Sequence, residues 1–298
     1  MAELNESLSC FKKMDDALFH NWVLLLEERT GMHLPKQRRS FLETSISLRM
    51  KEIGVQDFAN YYQYLQSEKD GEHEWLTLVD RLTVHETRFF RHQPSLDLLE
   101  KILLPRLFDS EPDRKQLQVW SAGCSTGEEA YTVCMVMNQF LKNLPVNNCY
   151  IAVTGMDISI PALVTAKEAS YARNKIRHVP LHYREKYFNK QDNGHYKIVD
   201  DLRKRVCFVP FNIIDMKKTL LHSMDIIFCQ NVLIYFNRIK RKKIIHQLVE
   251  RLKPGGFLVL GAGESLNTLH PELEIIDFPN ALAFQRKEQE KVIDSAGI

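Results

Sequence analysis

Two glycines and two glutamates lie at the junction between the first predicted strand and the helix that follows it. In SAGCSTGEE (121–129), which follows the apolar run LQVW, Gly123 and Gly127 let the backbone approach a ligand closely. The turn is not the GxGxxG of dinucleotide enzymes, and Glu128 and Glu129 at the helix start would repel a phosphate. Carboxylates there suit a ligand with ammonium or hydroxyl groups. The alternative is that they only stabilise the helix dipole.

A further acid, Asp157, ends the next predicted strand. An acid at that place can hold the two ribose hydroxyls of a nucleoside, although an aspartate after a strand also commonly caps the following helix. Together with a glycine turn that carries Glu129, Asp157 indicates a nucleoside without phosphates. S-adenosylmethionine, with its ribose, adenine, amino acid head and sulfonium, is the candidate that matches.

Two other segments place polar groups where a ligand would lie. Asn231 and Tyr235 follow the strand DIIFCQ (225–230), at the strand end where α/β sheets bind ligands; the alternative is a tyrosine packed on the core. In TVHETRFFRH (83–92), Arg91 can pair bidentately with a carboxylate. The alternative for this segment is two phenylalanines in the core between solvated arginines.

The spacing of apolar residues predicts the elements that position these groups. The first hundred residues show helical periodicity and no convincing strand, with Gly54 ending one helix and Asp57 capping the next. From residue 117 short apolar strands alternate with helices, which predicts a parallel sheet covered on both faces and closed by an antiparallel edge. The polar stretch 169–205 is longer than a crossover needs and predicts an inserted subdomain.

These elements suggest a division of the chain into four parts. We expect an N-terminal helical domain over 1–92, a helix and linker over 93–116, an α/β domain over 117–288 that contains the insert, and a tail over 289–298.

Length and composition bound the class of protein. A chain of 298 residues with 44% apolar and 26% charged residues is of ordinary globular composition. No apolar run reaches the roughly 18 residues of a membrane span, and MAELNESLSC does not read as a secretory signal. We therefore expect a cytoplasmic protein without direct membrane insertion. The six cysteines contain no CxxC pair and follow no zinc spacing, so we expect no metal.

The net charge of +2 is too small to indicate a nucleic-acid partner on its own. Residues 1–80 are acidic overall, yet they contain a local group of cations, which we call the basic cluster. It is either a solvated helix face or a docking face for an acidic partner. Its members are Lys36, Arg38, Arg39, Arg49 and Lys51.

In this order, the motifs TxxxTxFFR, WSAGCSTGEEAY, the acid in GMDIS, FN-I, DIIFCQNVLIYF and LKPGGFLVLGAGES resemble those of the chemotaxis-receptor protein-glutamate O-methyltransferase (CheR) family. The resemblance covers about residues 15–285, and it includes GMHLPKQRRSFL and IGVQDFANYYQYL in the helical part. Within the family, the branch that serves pilus chemosensory systems is the one suggested.

The resemblance implies a Rossmann-like α/β methyltransferase sheet with an N-terminal all-α domain and a small inserted β subdomain. It implies methyl transfer from S-adenosylmethionine, leaving S-adenosylhomocysteine, to glutamates in the cytoplasmic helical bundle of a methyl-accepting chemoreceptor, which tunes adaptation. Arg91 and Tyr235 match family residues near the reacting methyl, and the basic cluster matches a helix thought to meet the receptor. Family cofactor contacts fall on His85, Thr87, Arg91, Glu129, Asp157, Asn212, Ile213, Gln230 and Asn231.

The chain departs from the family pattern in several places. His85 stands where the family usually has asparagine, and Gln230 where it usually has arginine. Ser45 and Leu48 occupy positions where the family often has arginines. The insert is short over 188–208, which resembles members that do not need a receptor's tethering C-terminal pentapeptide.

Three other functions stay open. A methyltransferase acting on nucleic acid or a small molecule would share the sheet and cofactor, although the mild charge argues against nucleic acid. A non-catalytic cofactor-sensing or docking module would be consistent with His85 and Gln230. A nicotinamide dehydrogenase is disfavoured because Glu128 and Glu129 stand where phosphates would lie.

Overall fold

Helices alone form the N-terminal part of the chain in the computed structural model, which describes residues 14–67, 70–83, 85–144, 149–218, 221, 223–264 and 269–288. Their apolar stripes meet in one cluster around Trp22, Leu42, Ile46, Tyr61 and Leu78. The described helices of this part are α1 (Asp16–Thr30), α2 (Arg39–Ile53), α3 (Phe58–Tyr64) and α4 (Asp70–Leu82), and a 3₁₀ turn spans Lys36–Arg38.

The predicted helix ends in this region are confirmed. Gly54, with φ of 76°, lies in the left-handed conformation that ends α2. The Asp57 carboxylate accepts hydrogen bonds from the amides of Ala59 and Asn60 at the start of α3. A helical segment over α5 (Gln93–Leu98), a π turn (Leu99–Leu103) and α6 (Leu104–Ser110) then leads to the sheet.

The α/β part is built on a seven-stranded sheet in the order β6-β2-β1-β7-β8-β10-β9. Its first five strands in this order are parallel, and β10 runs antiparallel to β8 and β9, as predicted for the closing edge. The strands are β1 (Gln116–Ala122), β2 (Tyr150–Asp157), β6 (Val206–Pro210), β7 (Met224–Cys229), β8 (Leu252–Leu260), β9 (Leu273–Ile276) and β10 (Leu282–Arg286).

Both faces of this sheet are covered, as the sequence predicts. Successive side chains of a strand point to opposite faces, so Val119 of β1 joins one apolar cluster and Trp120 joins the other. The Val119 face packs against α7 (Glu128–Lys142) and α8 (Ile160–Glu168), and the Trp120 face packs against α12 (Arg238–Arg251). No helix in the described ranges is long and apolar enough to cross a bilayer.

The inserted segment forms a second, small sheet in the order β3-β5-β4, with antiparallel pairing. Phe89 is fully buried and lies edge-on to Tyr171 and Phe188, with ring centroids 4.8 and 5.2 Å apart, so the insert packs on the FFR segment. The elements are β3 (Ser170–Tyr171), α9 (Arg173–Ile176), α10 (Leu181–Tyr187), β4 (Phe188–Lys190), β5 (Tyr196–Ile198) and α11 (Asp200–Arg203). The predicted architecture of sheet, all-α region and inserted β subdomain is confirmed.

Candidate active site

A cavity of about 250 Å³ opens at the carboxyl ends of β1, β2, β6 and β7. The chain winds outward from β1 to β2 and β6, then crosses to β7 and β8, so the cavity lies at the switch point where open α/β sheets bind ligands. Thr30, the last residue of α1, and Met32, which follows α1, also border it. The sequence-predicted cofactor and catalytic residues that border it are His85, Thr87, Arg91, Glu129, Asp157, Asn212, Ile213, Gln230, Asn231 and Tyr235.

The glycine turn after β1 brings two walls of the cavity together. Gly123, at φ 71°, has the conformation that glycine favours, and a Cβ on it would overlap Cγ2 of Val232. The amides of Gly123 and Cys124 both donate to the Met156 carbonyl, at 2.8 and 3.0 Å. A side chain at position 123 would therefore separate the β1 and β7 loops.

The two carboxylates of this turn have different surroundings. Glu128 is fully buried, and its carboxylate accepts from Thr126 Oγ1 at 2.6 Å and Lys175 Nζ at 3.1 Å. Glu129 borders the cavity and accepts from Ser121 Oγ at 2.7 Å. The expectation that both carboxylates face a ligand is wrong, because Lys175 of the insert holds Glu128 inside.

Glu129 titrates near neutrality. Removal from water raises the pKa of its carboxyl to about 7, although the Ser121 hydroxyl and the charge of Arg91 both act to lower that pKa. A carboxylate with this pKa and few hydrogen-bond donors around it suits a cationic or hydroxyl-bearing ligand.

Asp157 links the loop after β1 to the loop after β2 through hydrogen bonds of its carboxylate. Its Oδ2 accepts from the Ser125 amide at 2.7 Å, and its Oδ1 accepts from the Ser159 amide at 2.9 Å. The side chain that caps α8 is that of Ser159, which accepts from Ala162 N, so the helix-cap alternative for Asp157 does not hold. Burial raises the pKa of Asp157, against the lowering effect of those two amides. Each carboxylate oxygen has a second lone pair available to a ligand hydroxyl.

His85 connects the glycine turn with the N-terminal helices. Its Nε2 lies 3.0 Å from Asp80 Oδ1 and 2.9 Å from Thr83 Oγ1, and its Nδ1 lies 3.4 Å from Ser125 Oγ. Asp80 Oδ1 also accepts from the Ser159 hydroxyl. Sequence reasoning missed Asp80. Its carboxylate is a hydrogen-bond partner for the imidazole ring, and a side chain amide at position 85 would meet that carboxylate with a different geometry.

Two amide side chains at the cavity, those of Gln230 and Asn212, also bind protein groups. Gln230 Nε2 donates to Ser95 Oγ at 2.9 Å and to the Leu260 carbonyl at 3.1 Å. Asn212 Nδ2 donates to the Arg29 carbonyl at 2.9 Å. Gln230 therefore links strand ends to α5, with its amide nitrogen engaged away from any ligand.

A buried carboxylate that the sequence analysis did not single out holds the loop after β7. Glu264 follows β8 and is 2% exposed. The only hint of its role in the sequence was its place in the GAGES motif. It accepts from the amides of Asn231 (2.9 Å), Leu233 (2.7 Å), Ile234 (3.3 Å) and Gly261 (2.8 Å).

Arg91 and Tyr235 form the outer part of the cavity. Arg91 is exposed, and its Nη1 donates to the Glu86 carbonyl at 2.7 Å. Tyr235 is half-buried, and burial raises the pKa of its phenol while the charges of Arg38 and Arg91 lower it. The hydroxyl is therefore protonated at neutral pH and available as a donor.

The basic cluster divides into paired and unpaired cations. Arg39 binds Asp16, Glu43 and the Met14 carbonyl, and Arg49 binds buried Glu74 at 2.6 Å. Within the described ranges, the other three members form no ion pair with a carboxylate and are exposed; they are Lys36, Arg38 and Lys51. Ser45 is buried.

The sequence is similar to known proteins along most of its length. The chain matches the CheR methyltransferase SAM-binding domain over residues 85–282 and the CheR methyltransferase all-alpha domain over residues 17–83. The chemotaxis protein methyltransferase of Borreliella burgdorferi is 29% identical, over 82% of this chain and 86% of its own. The chemotaxis protein methyltransferase 2 of Vibrio cholerae is 29% identical, over 89% and 91%. The chemotaxis protein methyltransferase 1 of Pseudomonas aeruginosa is 28% identical, over 91% and 98%.

Proposed function

Because this chain belongs to the CheR methyltransferase family, we propose that it transfers methyl groups from S-adenosylmethionine to glutamate side chains of a methyl-accepting chemoreceptor, in the cytoplasm. The products are glutamate methyl esters and S-adenosylhomocysteine. One observation carries the proposal. A single cavity has carboxylates for an aminoacyl nucleoside on its inner side and Arg91 and Tyr235 on its outer side.

The chemistry of the cavity fits S-adenosylmethionine. Asp157 has lone pairs for the ribose hydroxyls, and Glu129 supplies a carboxylate for the ammonium of the amino acid head. The glycine turn offers no lysine or arginine for a phosphate, and Glu128 in the first turn of α7 is already held by Lys175. These features favour a nucleoside with a cationic head over a nucleotide.

The reaction needs placement more than proton transfer. S-adenosylmethionine supplies a methyl group on a sulfonium, and its sulfur keeps the bonding pair as the methyl leaves. The acceptor glutamate has a pKa near 4.3 and is ionised at pH 7, so this chain needs no general base. Arg91 orients the acceptor carboxylate, and the Tyr235 hydroxyl fixes the reacting centre through a hydrogen bond. Orientation of this kind lowers a barrier by several kcal/mol.

The function is tested by incubating the protein with methyl-labelled S-adenosylmethionine and purified cytoplasmic receptor fragments. We expect label on the fragment that mild alkali releases as methanol, because glutamate methyl esters hydrolyse readily. A fragment whose acceptor glutamates are replaced by alanine serves as the control. Alkali-stable label, or tight cofactor binding with no transfer to any fragment, would contradict the proposal.

The pKa of Glu129 predicts how cofactor affinity depends on pH. Only the ionised carboxylate attracts an ammonium, and its pKa is about 7. Below pH 7 the carboxyl is protonated and must lose its proton when the ligand binds. The affinity for S-adenosylhomocysteine should therefore fall up to tenfold for each unit by which the pH is lowered below 7, and it should be constant above about pH 8. Calorimetry from pH 5.5 to 8.5 measures this, and Glu129→Gln should flatten the profile. An unchanged slope in that variant would assign the titration to another group.

A further inference from the structure

Helix α12 begins directly after the outer wall of the cavity with an unusual concentration of charge. Its first six residues are RIKRKK (238–243), five of them cations, and its first turn contains no acid. Cations at a helix N-terminus oppose the helix dipole, so this arrangement works against the stability of the helix. Local choices that oppose folding are expected where a sequence serves function.

Two of the five cations have structural partners. Lys240 Nζ lies 3.1 Å from Glu27 Oε1 and donates to the Glu27 carbonyl at 2.9 Å. Arg241 Nε donates to the Phe236 carbonyl at 2.8 Å. These two cations hold α12 against α1 and against the loop that carries Tyr235.

The other three cations point to solvent. Arg238, Lys242 and Lys243 are exposed and form no ion pair with a carboxylate in the part of the chain that the structure describes. Ile239 lies among them and is 82% exposed, more than any other large apolar side chain in the described ranges. Ile234, which is 47% exposed, borders the cavity itself. Exposed isoleucines beside unpaired cations are complementary to a partner that offers apolar and acidic side chains.

Arg38, an unpaired cation of the basic cluster, also lies near Tyr235. The His33 amide donates to the Tyr235 carbonyl at 2.8 Å, which joins the segment before the 3₁₀ turn to the cavity wall. Arg38, three residues beyond Pro35, stacks over Phe41 at 5.3 Å and is close enough for its charge to lower the pKa of the Tyr235 phenol. Positive charge from Arg38 and from the start of α12 therefore lies near the loop that carries Tyr235.

We propose that Arg238, Ile239 and Lys242, together with Ile234, form a docking surface for the acidic helix that presents the acceptor glutamate. We call these four residues the rim surface. The proposal rests on the proposed function. The occupant follows from charge and shape: the acceptor is an anionic side chain, and a helix with carboxylates beside apolar residues three or four positions apart complements cations beside exposed isoleucines. Arg39 and Arg49 of α2 are already engaged within the N-terminal helices.

The test compares two triple variants with the same change in charge. The rim variant is Arg238→Glu, Ile239→Asp and Lys242→Glu. The control variant is Lys115→Glu, Ile275→Asp and Lys287→Glu, which changes exposed residues away from the cavity; Ile275 is 65% exposed on the edge strand β9. Equilibrium binding of a cytoplasmic receptor fragment to the S-adenosylhomocysteine-loaded full chain is measured at 50 and 200 mM salt, and ester formation is measured alongside.

We expect the rim variant to bind the fragment at least tenfold more weakly and to lose most of the salt dependence. The control variant should stay within twofold of the original chain, and both variants should keep their affinity for S-adenosylhomocysteine within twofold. For the rim variant, KM for the fragment should rise while kcat at saturation changes little. A rise in KM without a change in kcat distinguishes weaker docking from damage to the cavity.

Three results would overturn the proposal: unchanged binding by the rim variant, equal losses in both variants, or no binding of the fragment by the original chain. Vesicles of phosphatidylcholine and phosphatidylserine (7:3) provide a further arm. If they bind as tightly as the fragment and lose affinity in the same variant, the surface binds anionic membranes instead. Fragment binding that depends on the rim surface but yields no methyl ester would support docking and contradict the proposed function.

Discussion

Replacement of Asp157 by alanine should weaken S-adenosylhomocysteine binding at least about 100-fold. Hydrogen bonds to a charged group contribute about 1.5–3 kcal/mol each, and two ribose hydroxyls make two such bonds. Together they amount to about 3 kcal/mol or more, and each 1.4 kcal/mol is a factor of ten in affinity. Calorimetric titration of the purified protein measures the loss, with NADH and ATP as ligands that should not bind.

The control for this variant separates ligand contact from support of the glycine turn, because Asp157 also accepts from the Ser125 amide. The 2′-deoxyribose analogue of S-adenosylhomocysteine should bind the original chain weakly. Asp157→Ala should bind the two ligands with nearly equal affinity. Retained affinity for S-adenosylhomocysteine, or a full penalty for the missing hydroxyl in the variant, would contradict the ribose role.

Replacement of Tyr235 by phenylalanine should lower kcat about 10- to 100-fold while the affinity for S-adenosylhomocysteine changes less than about threefold. A phenol is protonated at neutral pH and burial raises the pKa of this one further, so the hydroxyl of this cavity-lining residue is a donor. Loss of one well-placed donor at a reacting centre typically costs 10²–10³ in rate, and somewhat less is expected here because the phenol is partly exposed to water.

Single-turnover rates at saturating receptor fragment measure this effect without interference from product release. Tyr62→Phe, which changes a tyrosine of the N-terminal helical cluster, is the matched control and should leave both quantities unchanged. Equal losses of rate and cofactor affinity in Tyr235→Phe would instead assign this residue to cofactor binding.

Most of the architecture could be predicted because it depends on patterns that are local in the chain. Apolar runs of strand length followed by helical stripes predicted the parallel sheet, and Gly54 and Asp57 predicted helix ends. The residues at strand ends gathered at one cavity because parallel strands place their carboxyl ends on the same edge. Local patterns were therefore sufficient to predict that Glu129, Asp157 and Asn231 lie at the same site.

The direction and partners of single side chains could not be predicted in the same way. Neighbouring residues on a helix point about 100° apart, so Glu128 and Glu129 meet different surroundings. Glu128 binds Lys175, a residue 47 positions further along the chain, and is thereby held away from the cavity that Glu129 borders. The pairing of Arg49 with Glu74 likewise depends on how α2 packs against α4. Such contacts arise from tertiary packing, which no local spacing records.

The anchoring of the cavity wall by Glu264 has a consequence for the order in which the protein matures during synthesis. The glycine turn and Asp157 leave the ribosome before the loop that carries Tyr235. That loop, however, gains its carboxylate anchor only when Glu264 has been made, 29 residues after Tyr235. The loop that carries Asn231 and Tyr235 is therefore the last part of this cavity wall to be anchored during synthesis. Both ends of the cavity can therefore be in place only after the chain has grown past β8.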